Sequence, residues 1–492
     1  MRKLSILILL TLLFCNLFAQ KGKESNPLRF EVNIGTNSTE SSPCVAINCE
    51  EYGVAVSYII TTASSGDSLV FVLKLLDVNM ELFKETSFVL PADYYIRAHT
   101  YHKTNVFVAL ATSATRKNAT DIMLVKFNVE TGETSTLATS YDAPISVNEI
   151  TALHETALIS LSDKKNRSHL LSMNFVSQQS SFLYTSEDNN IYNILSLIRY
   201  PDEENIFVSM TRKTDMTYIF NLFEYSGGIM RLKFDKQLSD SAYLTYAAPL
   251  KNIKGNIQSI VGAYYSGNIK NLYSSSDFGI LSSGIYSIDA TTSSLSLYPY
   301  RQISKDVYYT WQQPSKYYDI DSVNTAYIFT AESYSPKYKV TPHTEYDFYG
   351  RPYTRYYQEF VGYTTLQASN YIFDNGGNLL WINNMAVENT INTNHPRRKV
   401  LVKSIDDEIL NAYFAVDNLS YKFSGRNSGI EPIEKFYVAK KFGKDAVESE
   451  YDSKLEYWYD NNYFVYGYQV IKNNSLSKDS RRKVFYIQKI AL

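Results

Sequence analysis

The chain of 492 residues is poor in the side chains that most often carry chemistry, with three cysteines, six histidines and three tryptophans. No G-x-S-x-G, Walker or dinucleotide-binding pattern occurs, which removes support for the common nucleophilic and phosphate-handling activities. His99 and His102 make an H-x-x-H spacing, but YYIRAHTYHK reads as a strand, and a strand turns those two side chains to opposite faces. His154, His169, His343 and His395 have no ligand-spaced neighbours, so neither a metal nor a cofactor is expected. Charge of one sign is also missing. The 48 Lys+Arg and 50 Asp+Glu leave a net −2 with no basic stripe, which argues against nucleic acid and anionic membrane as partners. Helical periodicity is nearly absent, because no window beyond the N-terminus keeps an i, i+3, i+4, i+7 apolar stripe for three turns.

A long hydrophobic run occurs once, at the N-terminus. Arg2 and Lys3 precede LSILILLTLLFCNLFA, which ends on the small residue Ala19. That pattern reads as a secretory signal peptide over residues 1–19, its core being shorter than a spanning helix requires. Cys15 follows Phe14, whereas lipid-anchor processing needs a small residue there. No membrane span is expected once the signal is removed, and the expected location is extracytoplasmic: periplasm, cell surface or medium. Cys44 and Cys49 then remain. Five residues of extended strand span about 16 Å, too far for a bridge, so either the chain turns at Ile47-Asn48 or both are buried free thiols.

What the sequence has in plenty is β structure. In the stretch 105–132, VFVALAT is an unbroken run suited to a strand covered on both faces, DIMLVKFN is a second strand, and Gly132 closes a tight turn into a third. Comparable apolar strands start near Gly53, Ala157, Ile206, Ile260, Ala326, Asn411 and Tyr463. A turn marker follows an apolar residue at Asp77, Asn128, Val176, Glu224, Asp289 and Asp374, so the interval is about 50 residues early and lengthens later. That period suits a four-stranded propeller blade with insertions. The reading is all-β: a single β-propeller of seven or eight antiparallel blades, eight favoured, over residues 43–492. Tandem β-sandwich domains are the alternative. Within the N-terminal segment 20–42, residues 28–34 alternate Leu28, Phe30, Val32 and Ile34. A lone strand must pair, and closure of the ring against residues 484–490 would remove an exposed edge.

Two local patterns have turn readings. SSDFGILS at 275–282 resembles the Asp-box turn of sialidase-type propellers, with Ser275, Asp277 and Gly279 in place and Ser282 where an aromatic belongs. IFDNGGNLLWI at 372–382 looks like the D-x-x-G-x-x-x-W hairpins of quinoprotein-type propellers. Asp374 and Gly377 would make the turn and Trp381 would pack between blades; a Ca²⁺ reading of Asp374, Asn375 and Asn378 lacks the later bidentate Glu.

Tyrosine is the most conspicuous excess, at 43 residues. A hairpin insertion at about 334–363 gathers Tyr346, Tyr349, Tyr353, Tyr356 and Tyr357 around Arg351 and Arg355, with Gly350 and Pro352 suited to its tip. Tyr and Arg are enriched at binding hot spots, although most of these tyrosines must simply be strand packing. This YDFYGRP hairpin and the last 150 or so residues resemble a group of uncharacterised secreted bacterial propeller-like proteins with a Tyr-rich C-terminal region. That resemblance implies no activity. The expected function is a non-enzymatic extracytoplasmic binding or scaffold protein that holds an envelope protein or glycan. The alternative is a propeller glycan hydrolase or lyase, which needs two convergent carboxylates, or a Tyr nucleophile with an acid and Arg, from Asp319, Asp321, Glu345, Asp347 and Glu359.

Overall fold

The computed structural model describes residues 28–34 and most of 43–491; outside it fall 1–27, 35–42, 63–67, 113–119, 267–281, 301–314, 426–431, 474–480 and several shorter stretches. The signal-peptide segment and most of the Asp-box-like stretch therefore lie outside the described residues. Eight four-stranded antiparallel sheets follow one another along the chain. We number them blades 1 to 8: residues 45–89, 94–141, 145–184, 191–238, 243–299, 315–386, 401–437, and 446–491 with 29–33. The propeller expectation with eight blades holds.

One hydrophobic cluster sits at each blade interface. Ile47, Phe71 and Leu75 of blade 1 meet Val106, Val108 and Leu110 of blade 2. The alternate residues of the same strand, Phe107, Ala109 and Ala111, meet Ile159, Leu161 and Leu171 of blade 3. Period-2 alternation thus sends odd and even positions to different neighbours, and both faces are buried. That is why VFVALAT is apolar throughout. The same arrangement repeats around the ring to the contact between blades 8 and 1, where Trp458, Phe464 and Phe485 pack on Val54, Val56 and Val72.

The strands read as the start of each repeat are second strands. Asn105–Thr112, for example, lies between Tyr94–His102 and Thr120–Asn128. The first strands of neighbouring blades approach one another at the centre of the ring. Those of blades 1, 2, 7 and 8 give part of their length to open space there.

The ring closes as the alternation at 28–34 implies. Arg29–Asn33 is the outermost strand of blade 8, in antiparallel register from Arg29 opposite Gln488 to Asn33 opposite Val484. Phe30, Val32 and Ile34 pack on the interface with blade 1. The other face is held by buried ions. Arg29 Nε lies 2.8 Å from Glu31, Arg482 lies 3.4 Å from Glu31, and Arg482 grips Asp445 with two bonds of 3.2 and 2.7 Å. Burial alone would raise the Asp445 carboxyl, but hydrogen bonds from Arg482 and Asn473 hold it below its usual range.

Cys44 and Cys49 are both buried free thiols. They flank Val45–Asn48 and point to opposite interfaces, Cys44 toward blade 8 and Cys49 toward blade 2. Burial pushes the Cys44 thiol up to about 12. The 372–382 pattern is the expected turn. Asp374 accepts from Asn378 N and Asn378 Nδ2, Gly377 takes φ +80°, and Trp381 packs between blades 6 and 7. A Cβ on Gly377 would fall 2.1 Å from Ser287 Oγ of blade 5.

Candidate functional site

Two features stand apart from the packing of the ring, a projecting hairpin and an axial cavity. The hairpin consists of the second and third strands of blade 6, Ala326–Tyr346 and Pro352–Asp374, paired along their whole length. Its inner half belongs to the blade; beyond Lys337 opposite Gly362 it leaves the ring as a two-stranded ribbon whose residues are nearly all exposed. Gly362 has φ +136°, and a Cβ there would lie 2.3 Å from Asn392 O, so only glycine lets the connection into blade 7 cross the base of the ribbon. That crossing is fixed by paired backbone bonds between Tyr363 and Asn392, of 2.7 and 2.8 Å.

The register sorts the expected binding residues. Glu345, His343, Thr341 and Lys339 share one face with Tyr353, Arg355, Tyr357 and Glu359. On that face Tyr353 OH donates to Glu345 at 2.6 Å, Tyr357 OH also donates to Glu345, and Arg355 lies 3.5 Å from it. The two tyrosine hydrogen bonds hold the Glu345 carboxyl below its ordinary range and raise both phenols. The His343 ring stands edge-on to Tyr357 at 5.2 Å. The opposite face is apolar: Tyr338, Val340, Tyr346, Tyr356 and Phe360 are all exposed, and Tyr338 meets Phe360 edge-on. Tyr349 and Arg351 belong to neither face. They sit at the tip, where Asp347 accepts from Tyr349 N, Arg351 N and Arg351 Nε, while Phe348 is 98% exposed. The seven residues singled out from sequence are thus split three ways.

The carboxylates considered for glycan chemistry do not converge. Asp347 is consumed by the tip turn, and Glu359 sits opposite Lys339, six strand residues from Tyr353 and so roughly 20 Å along the ribbon from Glu345. Asp319 and Asp321 belong to the first strand of blade 6, opposite Thr330 and Ile328. Tyr357, Glu345 and Arg355 do assemble a phenol, a carboxylate and a guanidinium. They do so on an open ribbon face, with no wall to exclude water.

The second feature was not legible as a site. A cavity of about 410 Å³ lies between the first strands of blades 7 and 8, lined by Arg398, Lys403, Lys454, Glu456 and Tyr457 among others. A second, of about 270 Å³, shares Glu456 and reaches Asn48, Glu50, His99 and Tyr101 of blades 1 and 2. Lys454 and Glu456 pair at 2.5 Å, and Tyr466 OH donates to Glu456 at 3.3 Å. Burial would raise the Glu456 carboxyl, but Lys454 outweighs it and holds it low. The Lys403 ammonium sits 5.0 Å from the Tyr457 ring centre. The signal available in sequence was Lys454-Leu455-Glu456, two opposite charges on one face of the strand Ala446–Tyr459. His99 lines this channel while His102 packs edge-on against His154, so the H-x-x-H pair diverges as strand geometry requires. Among the described residues no group of three or more His, Cys, Asp or Glu is placed to hold a metal, and no helix is long and apolar enough to cross a membrane.

No protein-family model and no curated protein sequence matches the chain. Among solved structures, the WD40 domain of SCAP from fission yeast is similar at 10% identity and TM-score 0.39, over 94% of this chain and 97% of that one. The β-propeller domain of the Trilobed protease from Pyrococcus furiosus gives 10% identity and TM-score 0.35, over 82% and 98%. A polysaccharide lyase gives 11% identity and TM-score 0.39, over 82% and 91%. The class of the protein is that of the eight-bladed β-propellers, defined by its own eight sheets and their closure.

Proposed function

We propose that this propeller is an extracytoplasmic binding or scaffold protein, without catalytic activity of its own, whose blade 6 hairpin holds a protein or glycan partner in the cell envelope. The observation that carries this reading is the ribbon itself. It lifts exposed Tyr338, Tyr346, Phe348, Tyr349, Tyr356 and Phe360 away from the ring, with Phe360 at its base standing edge-on to Tyr363. Exposed aromatics in such a group mark interaction sites, and aromatic rings suit both protein hot spots and the faces of sugars. The dispersal of Glu345, Asp347 and Glu359 along an open surface supports binding over glycan cleavage, which needs paired carboxylates at a fixed separation. The extracytoplasmic setting rests on the N-terminal sequence pattern.

The test is affinity purification of the tagged full chain from its own envelope fraction, beside a variant with residues 340–358 replaced by Asn-Gly. The flanking pair Lys339 and Glu359 then closes on a two-residue turn. The expected result is one or more partners retained by the full chain and lost by the variant. Equal retention by both would refute the hairpin's role.

A further inference from the structure

From its unpaired edge, we propose that the ribbon also joins two copies of this chain, strand 354–360 of one pairing antiparallel with strand 354–360 of the other. This goes beyond the binding role, because the edge rather than either face or the tip makes the contact. The two readings stand independently.

Hydrogen-bond phase decides which amides face out. Asp347 N donates to Arg351 O at 3.0 Å, which makes that pair a hydrogen-bonded one. In an antiparallel ladder such pairs alternate, so Glu345 with Tyr353, His343 with Arg355, Thr341 with Tyr357 and Lys339 with Glu359 turn their amides inward. Thr354, Tyr356, Gln358 and Phe360 therefore turn theirs outward, along an edge that the fourth strand of blade 6, Leu379–Ala386, does not reach, since its pairing ends at Gln367. The opposite edge is blocked, because Pro342 occupies an outward position and has no N–H. Among the described residues the ribbon has one competent edge.

That edge is complementary to itself. With Tyr357 placed opposite Tyr357 of the second copy, outward Tyr356 meets outward Gln358, and Thr354 meets Phe360, so both ladder pairs are in phase. In the same register Arg355 falls opposite Glu359 of the second copy, and the two-fold axis repeats the pair. Cross-strand opposite charges are stabilising and like charges are not. Slipping by two residues in either direction keeps the ladder in phase but sets Arg355 against Tyr357 or Val361, and loses both ion pairs. The ladder runs from Thr354 to Phe360, between Pro352, which has no N–H, and the bulge at Lys337/Tyr338. The contact is isologous, so it closes as a dimer and does not propagate.

Sedimentation velocity of the mature chain at several concentrations tests this, with the exposed positions 355 and 359 as variants that leave the blades untouched. A concentration-dependent dimer is expected. R355E and E359R should each raise the dissociation constant tenfold or more, by opposing like charges twice. Mixing the two single variants in equal amounts restores both ion pairs and should bring back dimer, as should the R355E/E359R double variant. A chain that stays monomeric at about 100 μM, a scale at which weak specific interfaces assemble, would overturn the proposal. So would single variants that dimerise like the parent. Loss of a foreign partner on hairpin replacement, with no dimer in the parent, would leave the binding role intact and remove this inference alone.

Discussion

Glu332 and Lys399 are buried together near the junction of blades 6, 7 and 8, at 1% exposure each. The Glu332 carboxylate accepts from Lys399 N and Val400 N at 2.8 to 3.0 Å, and Lys399 Nζ donates to Ser453 O at 2.8 Å. Burial pushes Glu332 up to about 7 and Lys399 down to about 8. The signs follow directly. A carboxyl raised in the fold contributes stability that is fully present below its unfolded value and lost as pH rises through about 7. An amine lowered in the fold contributes stability that is present above its unfolded value and lost as pH falls through about 8. Urea unfolding should therefore show this site contributing least between pH 7 and 8. In Glu332→Gln the rise in stability on going from pH 7 to pH 5 should shrink, whereas an unchanged slope would refute the assignment. At the same scale, Cys44 and Cys49 should react with a thiol reagent only on unfolding. The sequence left their pairing open because spacing alone does not show which interface each side chain enters. The fold decides it by sending Cys44 into the interface with blade 8 and Cys49 into the interface with blade 2.

The closing strand and the hairpin are opposite kinds of element. Arg29–Asn33 is five residues long, yet both its faces are committed, one to the blade 1 interface and one to the Arg29, Glu31, Arg482, Asp445 cluster. Arg482→Met leaves Asp445 buried with its main partner gone, and the expected cost is about 3–5 kcal/mol, measurable as a lowered urea midpoint. Replacing residues 340–358 removes exposed surface only, so the melting temperature should move by less than about 2 °C, the shift that corresponds to a few tenths of a kcal/mol. Legibility differs in the same way. Second strands such as Asn105–Thr112 and Thr156–Asp163 were readable because they are covered on both faces and mostly apolar. Among the first strands, Val45–Asn48 and Leu401–Ile405 were not, since they are only four and five residues long and give part of their length to the channel. The hairpin was readable as a Tyr/Arg concentration. That it presents a polar face, an apolar face and a separate tip was not, because this depends on a bulge at Lys337/Tyr338 that sets the register of everything beyond it.

At the scale of the molecule, stability is distributed over interfaces that each blade shares with two others. Phe107→Ala, in the contact between blades 2 and 3, should cost about 3–5 kcal/mol. Loss of one well-packed interface strains the closed ring at both ends. Unfolding should still be a single transition, whereas a chain lacking residues 28–34 should unfold earlier and less cooperatively.

Closure by Arg29–Asn33 has a consequence in time as well as in space. The strand that completes blade 8 is made before any of the blades, and its partner Arg481–Ala491 is made after the other strands of the ring. Seven blades can assemble in the order of their synthesis. The eighth must wait for Arg481–Ala491 and then reach back across more than 450 positions to Arg29–Asn33. Until that moment the polypeptide is an open arc with two unmatched ends, so the slowest step of its maturation is expected to be the joining of the earliest segment to the latest.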